Sequence, residues 1–492
     1  MPTGGKGAGS LVIVSNRGPY RFKRHARGVR AERTVGGLVS ALDPVLRRSS
    51  GTWVAWDDSY VPGDSFGERV RVPLDRPQYL FVRIPLSEEE VRGFYEGFSN
   101  RGLWPLCHYF LGRCEFDLAE YDHYRAVNAR FAESAAREAR PGDTIFVQDY
   151  QLALVPGMLR EMNTGARIAL FWHIPFPPLD IFRALPWREE ILEGILGADL
   201  VGFHTRAYVN HFATCAEKLF GAKWDEQTGI LTFGDRRTQL RACPLGVEFA
   251  EFDRIARMPG TLEKVRRIRE GLGTQFVAIG ADRIDYSKGI PERLLGIERF
   301  LERYPEFRKR LSFVQVAAPS RTEVREYRRM GRIIDETVGR VNGRYAEGAW
   351  SPITYFCRAL PRHELVSYYL AADIALITPL RDGMNLIAKE YVASRPDGGG
   401  ALILSEFAGA AEDMEDAILV NPYDTDGIAE KLREAIDLSE VDRRRRMGRL
   451  RDLVMSRDVS WWQKEFLGDL LPGARHREGD TPHPSRKASP RG

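Results

Sequence analysis

The segment PLRDGMNLIAKEY (379–391) places two carboxylates and a glycine at a predicted junction between a strand and a helix. The residues that lead into it, DIALITP (373–379), form a short apolar run that is typical of a buried parallel strand. The pattern after Gly383 predicts a helix whose first turn is residues 383–386. Unpaired N–H groups and the positive end of a helix dipole suit an anion at such a junction.

Asp382 and Glu390 are separated by about two helical turns, so both carboxylates can face one cleft. An ionised carboxylate can accept hydrogen bonds from two sugar hydroxyls, and Gly383 lets backbone approach a ligand closely. The local chemistry therefore predicts a site for a sugar joined to a phosphate. The alternative is a helix N-cap followed by a solvated glutamate.

Short apolar strands alternate with amphipathic helices, which predicts βαβ units and parallel sheets. Two runs of this pattern meet near 245–258, so we expect an α/β protein with two doubly wound domains facing across a cleft. The expected segments are a disordered 1–10, an N-terminal domain 11–250, a C-terminal domain 251–455, a C-terminal helix 456–472 and a disordered tail 473–492. Predicted strands are 11–15, 52–56, 78–85, 144–148, 167–172, 199–203, 275–280, 311–318, 352–356, 373–379 and 401–405. Predicted helices include 87–97, 119–138, 187–196 and 206–219.

Several polar residues directly follow predicted strands, and the carboxyl ends of parallel strands meet at one edge of a sheet. We therefore expect them to converge on one crevice, where unpaired buried charges would be costly without a ligand. These residues are Asn16, Arg17, Asp149, His173, Arg283, Lys288, Arg321 and Asp382.

Residue type then suggests roles for the cations. Arg283 and Lys288 can hold a diphosphate, and Arg17 with Arg321 can hold a second phosphate. Structural ion pairs are the alternative for Arg17 and Arg321 taken singly. His173 can instead be a core histidine.

Two further stretches could either bind a ligand or have a structural role. Asp149 can cap a helix that starts near Gln151. The basic stretch 16–38 ends in Gly36 and Gly37, which can admit phosphate or sugar close to backbone, or the stretch can be a solvated hairpin.

Charge and composition limit the possible classes of protein. The chain has 492 residues, of which 43% are hydrophobic and 28% charged, and this is ordinary for a globular protein of more than one domain. A net charge of +4 does not indicate nucleic-acid binding. The most basic run, DRRRRMGR (442–449), is predicted to be a solvated helix face.

Cysteine usage and the N-terminal sequence favour a cytoplasmic protein. The five cysteines are scattered and form no C-x-x-C pair, which favours reduced thiols over a disulfide framework or a zinc site. The start, MPTGGKGAGS, lacks the apolar region of a signal peptide, and no apolar run approaches the roughly 18 residues of a membrane span. No metal ligand cluster and no cofactor are expected.

The chain resembles the trehalose-6-phosphate synthases, retaining glycosyltransferases of the two-domain GT-B fold, from about residue 11 to 470. The motifs that carry the resemblance are VSNR (14–17), VGGL (35–38), WVAW (53–56), FYEGFSNRGLWP (94–105), DY (149–150), HIPFP (173–177), ALPWREEIL (184–192), DRIDYSKG (282–289), PSR (319–321), VNGRY (341–345), LRDGMNLIAKEY (380–391), SEFAGAA (405–411) and VNPYD (420–424).

The resemblance implies that the C-terminal helices pack back toward the N-terminal domain. It also implies a role for each matching residue. The implied donor-binding residues are Gly36, Gly37, Arg283, Lys288, Leu360, Leu365, Asp382, Gly383, Met384, Asn385, Leu386 and Glu390. The implied acceptor-binding residues are Arg17, Trp56, Tyr95, Trp104, Asp149 and Arg321. The residues implied to act at the reacting centre are Arg283, Lys288, His173 and Asp149.

The implied reaction moves glucose from a nucleotide sugar to glucose 6-phosphate on the front face of the donor, with retention and no protein nucleophile. UDP-glucose is the first expectation for the donor, with GDP and ADP open. One departure from the family pattern is VQDYQ, where Gln148 and Gln151 stand in place of histidines that often flank the DY pair. Glutamine cannot titrate near neutral pH, so this departure concerns hydrogen bonding on the acceptor side.

Three other functions fit the resemblance. A glucosylglycerol-phosphate synthase would use glycerol 3-phosphate as acceptor, and a pseudo-glycosyltransferase would join cyclitols. A non-catalytic sugar-phosphate sensor would bind without turnover, but should have lost donor-binding residues that are present here. No nucleic-acid or membrane partner is expected, and a homo-oligomer is possible.

Overall fold

The computed structural model describes residues 9–25, 28–34, 37–60, 67–321 and 323–468. Gly36, residues 1–8 of the predicted disordered segment 1–10, and the predicted disordered tail 473–492 lie outside these ranges, so the predictions for them stay predictions. Within the described ranges, no helix combines the length and apolar character that crossing a membrane requires.

The strands form two large sheets and one hairpin. In chain order they are β1 Leu11–Arg17, β2 Tyr20–His25, β3 Gly28–Arg33, β4 Thr52–Trp56, β5 Arg69–Val72, β6 Tyr79–Ile84, β7 Thr144–Gln148, β8 Arg167–Phe171, β9 Leu200–Phe203, β10 Lys223–Asp225, β11 Ile230–Phe233, β12 Arg236–Ala242, β13 Phe276–Arg283, β14 Leu311–Ala318, β15 Ile353–Phe356, β16 Ile374–Ile377, β17 Ala401–Ser405 and β18 Ile418–Val420.

The first sheet has the order β10-β11-β12-β9-β8-β7-β1-β4-β6-β5, and the second has the order β15-β14-β13-β16-β17-β18. Strands β12 to β6 of the first sheet pair in parallel. At its two ends, β10 and β11 with β12, and β5 with β6, pair antiparallel. All pairs of the second sheet are parallel. β2 and β3 form the separate antiparallel hairpin.

Helices cover both faces of the sheets, which is why the parallel strands are near-continuous apolar runs. They are α1 Gly37–Ser49, α2 Glu88–Glu90, α3 Trp104–Cys107, α4 Leu118–Glu138, α5 Val155–Glu161, α6 Leu179–Phe182, α7 Arg188–Leu196, α8 Arg206–Phe220, α9 Phe249–Ala256, α10 Pro259–Leu272, α11 Ile290–Arg303, α12 Arg325–Tyr345, α13 Arg362–Ala371, α14 Leu386–Ala393, α15 Thr425–Asp437, α16 Glu440–Ser456 and α17 Val459–Trp462. Short 3₁₀ helices are Leu111–Arg113, Tyr150–Leu152, Tyr286–Lys288, Pro305–Phe307 and Gly409–Glu412, and π-helical segments are Val91–Leu103 and Gln463–Leu467.

Predictions based on hydrophobic runs are mostly confirmed. The predicted strands 52–56, 144–148, 311–318 and 401–405 coincide with β4, β7, β14 and β17. Strands β5 and β10 to β12 and the short β18 were not predicted, since none has a long apolar run. Part of the basic stretch 16–38 forms the β2–β3 hairpin.

The predicted helix 87–97 is wrong in type and extent. α2 is a single turn, and the chain continues as a π-helical segment to Leu103, with non-helical angles at Gly97 (φ −76°, ψ −108°). Periodicity alone cannot distinguish a 3.6-residue repeat from a wider turn over so short a stretch.

The C-terminal helices pack back on the N-terminal sheet, as predicted. The ring of Trp462 lies 5.1 Å from that of Phe171, and the ring of Phe466 lies 5.3 Å from that of Phe146. The strands of the first sheet all fall in 11–242 and those of the second in 276–420. The proposed domain boundaries, 11–250 and 251–455, are compatible with this division and stay a proposal.

Candidate active site

The carboxyl edges of the two sheets meet directly. A Cβ built on Gly383, after β16, would lie 2.5 Å from the carbonyl oxygen of His173, after β8. The Tyr208 hydroxyl of α8 also donates to the carbonyl of Asp382 over 3.3 Å. The predicted convergence of strand ends on one crevice is therefore confirmed at its centre, and Gly383 is needed there for close backbone approach.

Asp382 lies in this crevice with a cation from a neighbouring strand end. Lys288 Nζ donates to Asp382 Oδ2 at 2.6 Å, and Asn385 Nδ2 donates to the same oxygen at 3.2 Å. Burial alone would raise the pKa of Asp382, but Lys288 holds it below its ordinary value. The carboxylate is thus ionised and can accept hydrogen bonds from ligand hydroxyls.

The helix after this strand begins later than predicted. α14 starts at Leu386, and Asn385 is its N-cap, with φ of 73° and a side chain that accepts a hydrogen bond from Ala388 N. Gly383 and Met384 lie in the preceding loop, so the predicted first turn at 383–386 is wrong, as is an N-cap at Asp382. Asparagine tolerates the left-handed conformation, and its side chain replaces the first missing backbone partner.

Arg283 and Lys288 are the two predicted diphosphate-binding cations, and both come from the motif DRIDYSKG (282–289). Arg283 is the last residue of β13, and its Nη1 donates to Ser320 Oγ at 3.0 Å. Lys288 ends the 3₁₀ helix Tyr286–Lys288 and is buried. Together these cations can hold a doubly or triply charged phosphate group.

A cavity of about 140 Å³ lies at the start of helices α1 and α14. Its lining includes Gly37, Leu360, Leu365, Leu386 and Glu390. Four uncharged residues of the predicted donor site therefore come together here, and their apolar walls fit a flat base. Gly383, Met384 and Asn385 do not line this cavity.

Helix α14 contributes Glu390 to the wall of this cavity, and burial raises the pKa of this carboxyl group to about 7. Tyr369 Oη donates to Glu390 Oε2 at 3.4 Å. Arg362 also lines the cavity, and its Nη1 donates to Glu248 Oε2 at 2.7 Å. Neither Arg362 nor Glu248 was predicted, because a lone charged residue at a helix start has no distinctive pattern.

Two further arginines of the crevice stack on aromatic rings. The guanidinium of Arg17 lies 3.9 Å from the Trp56 ring centroid, and that of Arg321 lies 4.0 Å from the Trp104 ring centroid. Arg17 also pairs with Asp58 at 3.0 Å, with both side chains more than a third exposed. The ion-pair alternative is thus correct for Arg17 in part, but an exposed pair of this kind is weak and can be exchanged.

Tyr95 lies close to both arginines. The Arg17 guanidinium lies 5.1 Å from the Tyr95 ring centroid. Burial would raise the pKa of Tyr95, but Arg321 and then Arg17 outweigh burial and lower it. The π-helical segment therefore places a phenol between cations from different sheets, in a pocket with strongly positive potential.

Arg321 has two unusual features for a residue with a purely structural role. Its φ of 47° lies in the left-handed region, and its side chain is buried against Tyr150 Oη at 3.4 Å and Tyr327 Oη. Its Nε and the indole Nε1 of Trp104 are buried N–H donors without a hydrogen-bond acceptor in the described part of the chain. Because these two donors lie in the crevice, an anionic or oxygen-rich ligand bound there would supply the acceptors that they lack.

Asp149 and His173 lie between the two groups of cations. Asp149 has φ of 72°, and its Oδ1 accepts from Tyr150 N at 2.9 Å and His173 N at 3.0 Å. Burial raises the pKa of Asp149 to about 6, with those N–H groups opposing the effect. Asp149 does cap the 3₁₀ helix Tyr150–Leu152, so the capping alternative is correct, and its second oxygen remains for a ligand.

His173 is held neutral by its surroundings. Burial lowers its pKa to about 3, and its Nε2 lies 3.0 Å from Gln148 Oε1. A neutral imidazole beside an amide oxygen donates from Nε2, which leaves Nδ1 as an acceptor. Gln148, in the place of a histidine usual in the resembling family, therefore fixes the tautomer of His173, a role that its type alone did not predict.

No group of three or more His, Cys, Asp or Glu side chains in the described residues is arranged to hold a metal ion. All five cysteines are free thiols, and Cys357 alone among them is exposed.

Comparison with known proteins identifies the family. The model of "Glycosyltransferase family 20" matches residues 9–471. The trehalose-6-phosphate synthase of Mycolicibacterium smegmatis is 42% identical over 484 residues, which cover 96% of this chain and 94% of the relative.

Solved structures agree with this relationship. The alpha,alpha-trehalose-phosphate synthase (UDP-forming) of Burkholderia vietnamiensis has a TM-score of 0.86 at 34% identity, covering 94% of this chain and 97% of that one. The Burkholderia xenovorans enzyme in complex with glucose-6-phosphate has a TM-score of 0.85 at 33% identity, covering 94% and 100%. The two facing α/β sheets are those of a GT-B enzyme, and the chain belongs to glycosyltransferase family 20.

Proposed function

We propose that this protein transfers glucose from UDP-glucose to glucose 6-phosphate, with retention, and releases trehalose 6-phosphate and UDP. The pair of buried N–H donors on Arg321 and Trp104 is the observation that carries the proposal. The Lys288–Asp382 pair lies in the same crevice, so one cleft would have separate groups for a sugar phosphate and for a nucleotide sugar. The family relationship supports the same reaction.

On the donor side, Arg283 and Lys288 would bind the diphosphate, and Asp382 would accept hydrogen bonds from glucose hydroxyls. The backbone of the 383–386 loop would contact the sugar and phosphate, and Glu390 would bind the ribose. Leu360 and Leu365 would flank the base. Gly37, with Gly36 beside it in sequence, would lie next to the donor.

On the acceptor side, Arg17 and Arg321 would bind the phosphate of glucose 6-phosphate. Tyr95, Trp56 and Trp104 would enclose the sugar, since aromatic faces pack against the apolar face of a hexose while their polar atoms reach its oxygens. Asp149 Oδ1 is bound to backbone N–H groups, so Oδ2 would accept a hydrogen bond from glucose 6-phosphate.

In the transfer step, the bond from the donor anomeric carbon to the phosphate oxygen breaks, and a bond to the acceptor hydroxyl oxygen forms on the same face. The acceptor proton passes to the departing phosphate oxygen. Arg283 and Lys288 stabilise the charge that develops on that phosphate. His173, being neutral, can contact the donor glucose without competing for the proton, and binding both substrates in one orientation supplies much of the rate.

The test is a matrix of nucleotide release with the full chain. Donors are UDP-, GDP- and ADP-glucose, and acceptors are glucose 6-phosphate, glycerol 3-phosphate and none. We expect release from UDP-glucose with glucose 6-phosphate only. Release with glycerol 3-phosphate alone would reassign the function to the glucosylglycerol-phosphate alternative, and binding without release in every well would favour a sensor. A cytoplasmic location and a homo-oligomer stay predictions.

A further inference from the structure

Asp285 lies between the two groups of cations, within the motif DRIDYSKG, and is fully buried. Its Oδ1 accepts a hydrogen bond from Ser287 N at 3.0 Å. Its Oδ2 lies 3.6 Å from Arg283 Nη2 and 3.7 Å from Arg321 Nη1. The Tyr327 hydroxyl donates to the same Oδ2 at 3.4 Å.

These contacts fix the carboxylate in one orientation. Because one oxygen is bound to backbone, the group cannot rotate without losing that hydrogen bond. The other oxygen then faces two guanidinium groups that extend from adjacent strand ends, Arg283 at the end of β13 and Arg321 after β14. The position of Asp285 therefore sets how far apart the two arginines lie.

The negative charge of Asp285 also reduces the repulsion between Arg283 and Arg321 at this spacing. Two guanidinium groups near each other repel, and solvent screens this repulsion only in part, because the Arg283 side chain is 44% exposed but that of Arg321 only 7%. Burial would raise the pKa of Asp285, but Arg283, Arg321 and Lys288 together lower it, so Asp285 is ionised and offsets part of their charge.

We propose that Asp285 is a positioning residue, a buried counterion that holds Arg283 and Arg321 at the spacing that brings donor diphosphate and acceptor phosphate together. This inference rests on the proposed function, which assigns one arginine to each substrate. Asp285 acts through the arginines, because it is buried behind them.

The test is Asp285→Asn, which keeps the shape and the bond from Ser287 N but removes the charge. Turnover at saturating substrates should fall about 100-fold, as expected when reacting groups shift by about 1 Å. Affinity for UDP alone, measured by calorimetry, should be equal to or tighter than that of the wild-type protein, because a poorly screened negative charge has been removed. Loss of general structural support would instead weaken UDP binding together with turnover.

Asp373→Asn is a matched control. Asp373 precedes β16 at the opposite edge of the same sheet, where it accepts a hydrogen bond from Val277 N at 2.9 Å and pairs with Arg269. This variant should keep wild-type turnover even if its melting temperature falls. Asp285→Glu, which keeps the charge, should recover part of the turnover lost in Asp285→Asn.

Three results would overturn the proposal: wild-type turnover in folded Asp285→Asn, weaker UDP binding in it, or equal loss of turnover in Asp373→Asn. If Asp285→Asn does not fold, the glutamate variant decides, and wild-type turnover in it would show that the spacing is not set by Asp285. Failure of the proposed function is separate, since the wild-type protein would then show no turnover with any acceptor.

Discussion

Replacing Gly383 by alanine tests whether close contact between the two sheets is required for activity. A Cβ at this position would lie 2.5 Å from the carbonyl oxygen of His173 and 3.0 Å from the Cα of Ile174. The first of these contacts is about 1 Å shorter than an ordinary van der Waals contact. Both atoms are backbone, so no side-chain rotation can relieve the clash, and the two edges of the crevice must separate.

A displacement of about 1 Å between substrate-binding groups costs about 100-fold in turnover. The cost in stability should be smaller, about 1–3 kcal/mol as for other overpacked sites, because the clash can be relieved by moving one domain relative to the other. We therefore expect Gly383→Ala to fold and to lose about 100-fold in kcat/KM.

The assay is UDP release at varied UDP-glucose and glucose 6-phosphate, with thermal unfolding measured on the same samples. Gly339→Ala is the matched control, because Gly339 lies in helix α12 with no atom within 4 Å of the added methyl group. That substitution should leave activity unchanged and stabilise the helix slightly. Wild-type kcat/KM in folded Gly383→Ala would refute the reasoning that this backbone contact sets the geometry of the crevice.

Three further predictions concern charged groups. Arg283→Ala should lower kcat by about 100- to 1000-fold, as loss of one transition-state contact does, and near-normal turnover would remove Arg283 from the mechanism. Arg321→Ala should raise the KM for glucose 6-phosphate at least about tenfold and the KM for UDP-glucose less, and an unchanged acceptor KM would contradict its assignment. Arg303→Ala, which removes an exposed ion pair, is the control for both arginine variants. The pKa of Glu390 is raised to about 7, so the folded protein keeps a proton that the unfolded chain releases near pH 4.5. The free energy of unfolding should therefore fall as the pH rises from about 5 to 7, by at most about 3 kcal/mol. Glu390→Gln should remove this fall, and identical pH–stability curves for the two proteins would contradict the shifted pKa.

The proposed catalytic positions could be found from sequence because they follow strands. A parallel strand buried on both faces must be a continuous apolar run, so the charged residue that ends the run marks the carboxyl edge of the sheet. Asp149, His173, Arg283 and Asp382 were located in this way. The family resemblance added Tyr95 and Trp104, which lie in or next to a π-helical segment that periodicity misread.

The sequence by itself therefore determined the two-sheet architecture and most of the residues around the crevice, because both follow from local hydrophobic pattern and order along the chain. The tertiary structure alone decided which of those residues are partners. Asn385 begins helix α14, Gln148 orients His173, and Asp285 links Arg283 to Arg321. Each of these relations depends on a distance through space or on a backbone angle, and those are set only when the strands have been packed into sheets and the two sheets have met.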